Sequence, residues 1–152
     1  MEISYQRLGV DDTDQIAFLR WKMLEELSGV VLPQERVAQI QESIINNLEH
    51  GHCLAMGAFN EDRMIATAMI CFYYGLPDED FASGLGGVLC NVYTLPEYRG
   101  KGIMTNLLSV MIQQAKADSV QEIILTAEEE AVPLYEKLGF SKLPGAMAMH
   151  LE

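Results

Sequence analysis

An α/β fold in a single domain is predicted by three observations. The chain has 152 residues, 49% of them hydrophobic and 21% charged, which suits one globular domain with a sizeable core. β-compatible apolar runs and segments with helical spacing of apolar residues follow one another along the chain. No linker, internal repeat or low-complexity tract interrupts this order. The domain is therefore expected to extend over residues 1–152.

The first half of the chain predicts a strand, two helices and a hairpin. A strand is expected over Ile3 to Leu8, and the N-cap oxygens of Asp11 to Thr13 predict a helix that begins there. Pro33 opens a second amphipathic helix. The runs Cys53 to Phe59 and Met64 to Tyr74 flank a polar turn and predict an antiparallel hairpin.

The second half combines a long loop with alternating strands and helices. The stretch from Gly75 to Gly87 is rich in Gly, Pro and Asp, so it is expected to be a surface loop and a candidate wall of a substrate site. Beyond it the patterns predict, in order, a strand at Val88 to Tyr93, a turn at Pro96 to Gly102, a helix from Ile103, a strand at Ile123 to Thr126, a helix at Ala131 to Leu138 and a last strand at Met147 to Leu151.

The balance of charge limits the expected partners. Ten basic and 22 acidic side chains give a formal net charge of -12, which repels nucleic acid and anionic membrane surfaces. Neither is expected as a partner. An acidic surface favours a cationic amine, although it also simply keeps a protein in solution. The segment from Met1 to Val10 has no signal-peptide pattern and no apolar run approaches about 18 residues, so a cytoplasmic location is expected.

The cysteines and histidines indicate neither a disulfide framework nor a metal site. Cys53, Cys71 and Cys90 lie in apolar runs without C-x-x-C spacing and are expected to be reduced core residues. A covalent intermediate on Cys90 is disfavoured, because no histidine is near it in the sequence. His50 and His52 have the spacing of neither a zincin nor a helical metal pair, so no metal is expected.

The segment from Val92 to Thr105 predicts an anion site. A strand leads through a basic turn into a helix N-terminus, where unpaired amides and the positive end of the helix dipole meet. Gly100 and Gly102 allow close backbone approach, and Arg99 and Lys101 supply local positive charge. The alternative is an ordinary strand-to-helix turn with solvated basic side chains. Neither a Walker A loop nor a dinucleotide fingerprint is present, which disfavours nucleotide hydrolysis and hydride transfer.

Two segments in the second half resemble the motifs of one enzyme family. Arg99-Gly100-Lys101-Gly102-Ile103-Met104 resembles the R/Q-x-x-G-x-G/A signature of GNAT acetyltransferases, with Met104 in the place of Gly or Ala. Ala131-Val132-Pro133-Leu134-Tyr135-Glu136-Lys137-Leu138-Gly139-Phe140 resembles the second signature, A-x-x-L-Y-E-K-L-G-F. The resemblance implies a mixed, mostly antiparallel sheet with helices on both faces, splayed between the strands at 88–93 and 123–126. It also implies acetyl-CoA as co-substrate.

The resemblance also implies roles for individual residues. The amides of the turn would bind the CoA pyrophosphate, and the strand before it would pair with the pantetheine arm. The cofactor-binding residues expected on this basis are Val92, Tyr93, Thr94, Arg99, Gly100, Lys101, Gly102, Ile103, Met104 and Thr105. Tyr135 would be the catalytic acid that protonates the departing CoA thiolate. Glu128 stands where many relatives have an asparagine that contacts the cofactor.

The activity implied is direct transfer of an acetyl group from acetyl-CoA to an amine. The sequence does not assign the base that deprotonates this amine; the acidic candidates are Glu26, Glu79, Asp80 and Glu128 to Glu130, while Asn91 and Tyr93 could position water or substrate. Trp21, Leu24 and Glu25 are candidates for substrate choice.

The sequence leaves three properties undetermined: the acceptor, the oligomeric state, and whether the chain is an enzyme or a sensor. The acceptor is a small-molecule or peptide amine of unidentified structure, because fold membership does not fix it. A homodimer is consistent with the habits of similar proteins. The alternative function is a non-catalytic acyl-CoA-binding sensor with the same fold, to which Met104 and Glu128 lend support.

Overall fold

The computed structural model describes residues 1–152, which form a five-stranded mixed sheet with four helices. The strands lie side by side in chain order, with the first four antiparallel and the fifth parallel to the fourth. They are β1 (Ile3–Arg7), β2 (Cys53–Asn60), β3 (Arg63–Tyr74), β4 (Leu85–Thr94) and β5 (Glu122–Ile124). The helices are α1 (Thr13–Ser28), α2 (Gln34–Glu49), α3 (Ile103–Ala117) and α4 (Val132–Lys137). The predicted mixed, mostly antiparallel sheet is confirmed.

The core lies on both faces of strands β2 and β3. Every residue from Cys53 to Phe59 in β2 and from Met64 to Ile70 in β3 is buried. Successive side chains of a strand point to opposite faces, so an uninterrupted buried run requires a cover on each face. That cover includes Ile16 and Leu19 of α1 and Leu107 of α3, none of them more than 1% exposed. The prediction of helices on both faces is therefore confirmed. None of these helices combines the length and the apolar character that crossing a membrane requires.

The sheet opens along the C-terminal half of β4. Residues 86–88 of β4 pair with residues 122–124 of β5, but β4 continues to Thr94 without this neighbour. In the same half the register with β3 shifts by one residue, since Thr67 faces Tyr93 whereas Met69 faces Cys90. Asn91, at the centre of this bulge, has a left-handed φ of 53°. A bulge bends its strand and increases the local twist. The predicted splay between the two strands is thus present.

The predicted loop at 75–87 was too long, because β4 already begins at Leu85. Gly86 and Gly87 suggested a turn in the sequence, but both are buried strand residues opposite Tyr73 and Phe72. A Cβ atom at Gly86 would collide with the Tyr73 ring, and one at Gly87 with Cγ2 of Ile70. The glycines are required by close side-chain packing across the strands and not by chain reversal.

The predicted last strand at Met147 to Leu151 was wrong. This segment has no regular structure, and Met147, Met149 and Leu151 are 96%, 82% and 85% exposed. Alternating apolar residues form a strand only where an adjacent strand and an apolar surface receive them. Here the segment contributes no residue to the sheet.

Gly87→Ala is expected to destabilise the fold by about 1–3 kcal/mol, the usual cost of overpacking a filled core. The added methyl group would meet Ile70, which is 1% exposed and has no room to move. Urea unfolding monitored by circular dichroism measures the change. Gly9→Ala is the matched control, because a Cβ at Gly9 meets nothing within 4 Å. Equal stability of the two variants would contradict this packing argument.

Candidate active site

The turn between β4 and α3 is shaped by two glycines in left-handed conformations. Gly100 has a φ of 75° and Gly102, the N-cap residue of α3, a φ of 76°. Glycine adopts such angles without the strain that a side chain brings. Both residues are exposed, and a Cβ atom on either would meet nothing within 4 Å. The backbone of the turn therefore borders open space.

Six consecutive amides of this turn have no hydrogen-bond acceptor within the chain. They belong to residues 100–105, and the first amide of the helix that finds a partner is that of Asn106, which donates to the carbonyl of Gly102 at 3.1 Å. No side chain caps this helix end. Unpaired amides and the positive end of the helix dipole thus coincide, which is the arrangement that binds phosphate groups.

The side chain of Arg99 braces the turn. Its Nε donates to the carbonyl of Thr94 at 2.9 Å, and its Nη2 donates to both carboxylate oxygens of Glu26 at 2.9 and 3.1 Å. The guanidinium also lies 5.3 Å from the centre of the Tyr93 ring. Arg99 therefore connects the turn to the ends of β4 and α1. The partnership with Glu26 could not be foreseen, because the two residues are 73 positions apart.

Tyr135 lies on the far side of the opening in the sheet. It belongs to α4 and lines a cavity of about 540 Å³, the α4 cavity, together with Ile123, Leu125 and Phe140. Its ring meets that of Phe140 edge to face at 5.7 Å. Burial raises the pKa of the Tyr135 phenol, which keeps the proton on it at neutral pH. No residue of 92–105 lines this cavity, so the structure joins Tyr135 to β5 and not to the turn.

A second cavity of about 450 Å³ lies between α1, α2, β3 and β4. This α1–α2 cavity is lined by Arg20, Leu24, Leu32, Arg36, Gln39, Ile40, Ser43, Ile44, Asn47, Met69, Cys71, Cys90 and Asn91. Its wall reaches the residue that precedes Val92 in β4. The structure places Asn91 and Leu24 here as candidates for substrate contact, whereas Trp21 and Glu25 do not line the cavity.

None of the acidic candidates for a base lines either cavity. Glu26 is paired with Arg99, and the side chains of Glu79, Asp80 and Glu128 to Glu130 belong to exposed residues. Asn91 is 8% exposed, and its Oδ1 accepts a hydrogen bond from Nη1 of Arg20 at 3.5 Å. The structure thus brings together an amide and a guanidinium at this point of β4, and no carboxylate.

Two of the three cysteines are not core residues, which corrects the prediction. Cys71 and Cys90 are half-buried in the α1–α2 cavity with their sulfur atoms 3.5 Å apart. The hydrogen bond from Cys90 lowers the pKa of Cys71 to about 7, and the same contact raises that of Cys90. Only Cys53 is buried, and burial raises its pKa to about 11. No three His, Cys, Asp or Glu residues lie close enough together to hold a metal ion.

A family comparison decides the class of this chain. The model of the acetyltransferase (GNAT) family matches residues 16–140. The chain belongs to the GNAT family. The turn at the head of α3 and the helix that carries Tyr135 both fall within the matched residues.

Solved structures and a curated relative agree with this assignment. A predicted acetyltransferase from Clostridium acetobutylicum, solved with acetyl-CoA, is 25% identical, with a TM-score of 0.85 over 98% of this chain and 96% of that one. A GCN5-related N-acetyltransferase from Ralstonia eutropha shares the fold at 18% identity, with a TM-score of 0.80 and 99% of each chain covered. N-alpha-acetyltransferase 30 of Schizosaccharomyces pombe is 35% identical over 88 residues, 56% of this chain and 55% of the relative. The chain thus spans about half the length of that curated relative.

Proposed function

We propose that this GNAT acetyltransferase transfers the acetyl group of acetyl-CoA directly to an amine. The observation that carries the proposal is the row of six unpaired amides at residues 100–105. A pyrophosphate has enough oxygen acceptors to satisfy several of these donors, and its charge suits the helix dipole. The C. acetobutylicum relative solved with acetyl-CoA supports the identity of this ligand.

The pantetheine arm would lie along Val92, Tyr93 and Thr94 of β4. Tyr93 and Thr94 pair with β3 on one side only and Val92 lies in the bulge, since β5 ends its pairing at residue 88 of β4. A ligand amide can hydrogen-bond to such a free strand edge as an added strand does. The arm would therefore lead from the turn toward the bulge at Asn91, beside which the α1–α2 cavity opens.

Tyr135 is the proposed general acid. The amine nitrogen attacks the thioester carbonyl, the C–N bond forms, and the C–S bond breaks with the electron pair leaving on sulfur. The phenol of Tyr135 gives its proton to this thiolate, and the proton that the nitrogen loses as the amide forms returns through water to the phenolate. The raised pKa of Tyr135, caused by burial, keeps the group protonated before each turnover.

Water is the proposed acceptor of the proton that the amine loses. An alkyl ammonium has a pKa of about 10.4 and must lose its proton before attack. The α1–α2 cavity holds no carboxylate that could take this proton, whereas Asn91 and Ser43 in its wall can hold a water molecule.

The cytoplasmic location and the homodimer expected from the sequence stay predictions.

Thiol release from acetyl-CoA across a panel of amines tests the proposal. We expect release that depends on the amine and is absent without it, with acetyl-CoA binding confirmed separately by calorimetry. Binding without release by any amine would favour the sensor alternative, in which Met104 and Glu128 belong to a non-catalytic site. Absence of binding would contradict the assignment of the turn at residues 100–105.

Glu26→Gln is expected to raise the affinity for acetyl-CoA a few-fold at low ionic strength. The substitution removes a negative charge next to the turn and releases Arg99 toward the phosphates. The gain should disappear in high salt because exposed charges are screened. Both partners are almost half exposed, so stability should change by at most about 1 kcal/mol.

Calorimetry at two ionic strengths measures this effect, and Glu61→Gln, on the exposed β2–β3 turn, is the control for net charge. Weaker binding by Glu26→Gln would mean that the braced conformation of Arg99 is itself required.

A further inference from the structure

The arginines of this acidic chain fall into two groups. The chain has five of them, and three are paired with carboxylates: Arg7 with Asp118 at 3.2 Å, Arg63 with Glu97 at 3.3 Å and Arg99 with Glu26 at 2.9 Å. The other two, Arg20 and Arg36, have no carboxylate partner, and both line the α1–α2 cavity. The absence of a carboxylate partner therefore distinguishes the two arginines of the cavity from the other three.

The cavity wall holds no negative charge of its own. Its polar side chains besides the two arginines are Gln39, Ser43, Asn47, Asn91 and the two thiols. Arg20 donates to Oδ1 of Asn91 at 3.5 Å, and Arg36 donates to Oε1 of Gln39 at 3.2 Å. Each contact uses one of the five N–H donors of a guanidinium. Most of the donors therefore have no acceptor in the chain.

Because Arg20 is half-buried, its lack of a carboxylate partner indicates that a ligand could supply the missing negative charge. Arg20 is half-buried between α1 and β4, where a charge without a counter-ion is costly. The charge also reaches the thiol pair, since Arg20 adds to the lowering of the Cys71 pKa after the larger effect of the Cys90 hydrogen bond. A half-buried guanidinium in an open cavity is the usual binding partner of a carboxylate or phosphate ligand.

We propose that the α1–α2 cavity binds the acceptor, and that the acceptor is a small amine that also carries a carboxylate or phosphate group. This inference rests on the proposed function, whose acceptor it specifies. Arg20 and Arg36 bind the oxyanion, and the amine points toward the bulge at Asn91, next to the strand that receives pantetheine. A volume of about 450 Å³ suits a small molecule. Polyamines, which carry only positive charge, are repelled by the two guanidinium groups.

Matched pairs of amines test the inference directly. The pairs are β-alanine against propylamine and O-phosphoethanolamine against ethanolamine, so that within each pair mainly the anionic group differs. We expect kcat/KM for the member with the anionic group in at least one pair to exceed that of the member without it by about ten- to hundred-fold, the usual effect of a charge-assisted hydrogen bond. The pair with the larger ratio decides between carboxylate and phosphate.

Substitutions show whether the two arginines cause this preference. Arg20→Gln and Arg36→Gln should each lower kcat/KM about ten-fold for the amine with the anionic group, and neither should lower it for the amine without that group. Arg63→Gln removes the same charge from an exposed ion pair and should change neither. Thermal unfolding checks that each variant folds, and Arg20→Lys, which keeps the charge, replaces Arg20→Gln if that variant does not.

Binding without turnover separates this inference from the proposed function. Calorimetry with CoA present measures the affinity for β-alanine and O-phosphoethanolamine in the native chain and in the double arginine variant. Anion binding that depends on both arginines, without transfer to any amine, would support the cavity assignment and contradict the proposed function. Transfer that does not favour anionic amines would leave the proposed function intact and overturn the inference. Failure of both anionic probes to bind would overturn it as well.

Discussion

Gly102→Val is expected to weaken acetyl-CoA binding by about ten- to hundred-fold. Gly102 has a φ of 76°, and a β-branched residue at such an angle carries strain of about 1–3 kcal/mol. The variant turn will relax toward a negative φ, which turns the amides of residues 100–105 away from one another. Binding must then restore the strained conformation, and each 1.4 kcal/mol of that cost lowers the affinity ten-fold. The valine side chain also enters the open space that the pyrophosphate would occupy.

Gly51→Val separates local strain from loss of the anion site. Gly51 has a φ of 65° and, like Gly102, would place its Cβ where no atom lies within 4 Å. It joins α2 to β2, away from the turn at residues 100–105. Both variants should lose similar stability, but only Gly102→Val should lose affinity in a calorimetric titration with acetyl-CoA. Equal affinity of the two variants would contradict pyrophosphate binding by the backbone of this turn.

Tyr135→Phe is expected to lower kcat by about 10²- to 10⁴-fold, the usual contribution of a positioned general acid. The variant keeps the ring that packs on Phe140, so the affinity for acetyl-CoA should change little. Because burial raises the pKa of Tyr135, the native enzyme should lose activity only at pH values above the ordinary tyrosine pKa of 10.0. The residual activity of the variant should lack this loss at high pH.

Tyr74→Phe is the matched control for this substitution. Tyr74 is 80% exposed at the end of β3, so removal of its hydroxyl should affect neither kcat nor the pH profile. Steady-state thiol release between pH 6 and pH 11 provides both readouts, within the range in which the fold is intact. An unchanged kcat in Tyr135→Phe would show that Tyr135 is a packing residue of the α4 cavity and not the general acid.

Local patterns predicted the parts of the fold that local interactions determine. The helices and the β2–β3 hairpin follow from periodicity and turn residues, and the turn at Gly100 and Gly102 follows from the need for left-handed angles before a helix. The predictions from sequence were wrong where packing between residues far apart in the chain determines the structure. Gly86 and Gly87 indicate a turn until Ile70 and Tyr73 are known to pack on them.

In the candidate site, too, local patterns predicted the features that local interactions determine, and contacts between distant residues determine the rest. The backbone amides of the turn were predicted from the motif, since a glycine-rich strand-to-helix turn determines its own geometry. The pairing of Arg99 with Glu26 and the meeting of Cys71 with Cys90 depend on how α1, β3 and β4 pack together. Arg20 and Arg36 carry no motif at all. Their significance comes from the absence of carboxylates in the cavity wall, which only the three-dimensional arrangement can reveal.

The most direct test of the central claim is the identification of the product formed from ¹³C-labelled acetyl-CoA and an amine by mass spectrometry, together with the amount of CoA released. Direct transfer by the proposed site predicts a labelled N-acetyl amine in a one-to-one ratio with free CoA, and far less of it from Tyr135→Phe. Release of CoA with labelled acetate as the product, at a rate independent of the amine, would contradict acetyl transfer to an amine as the function of this site.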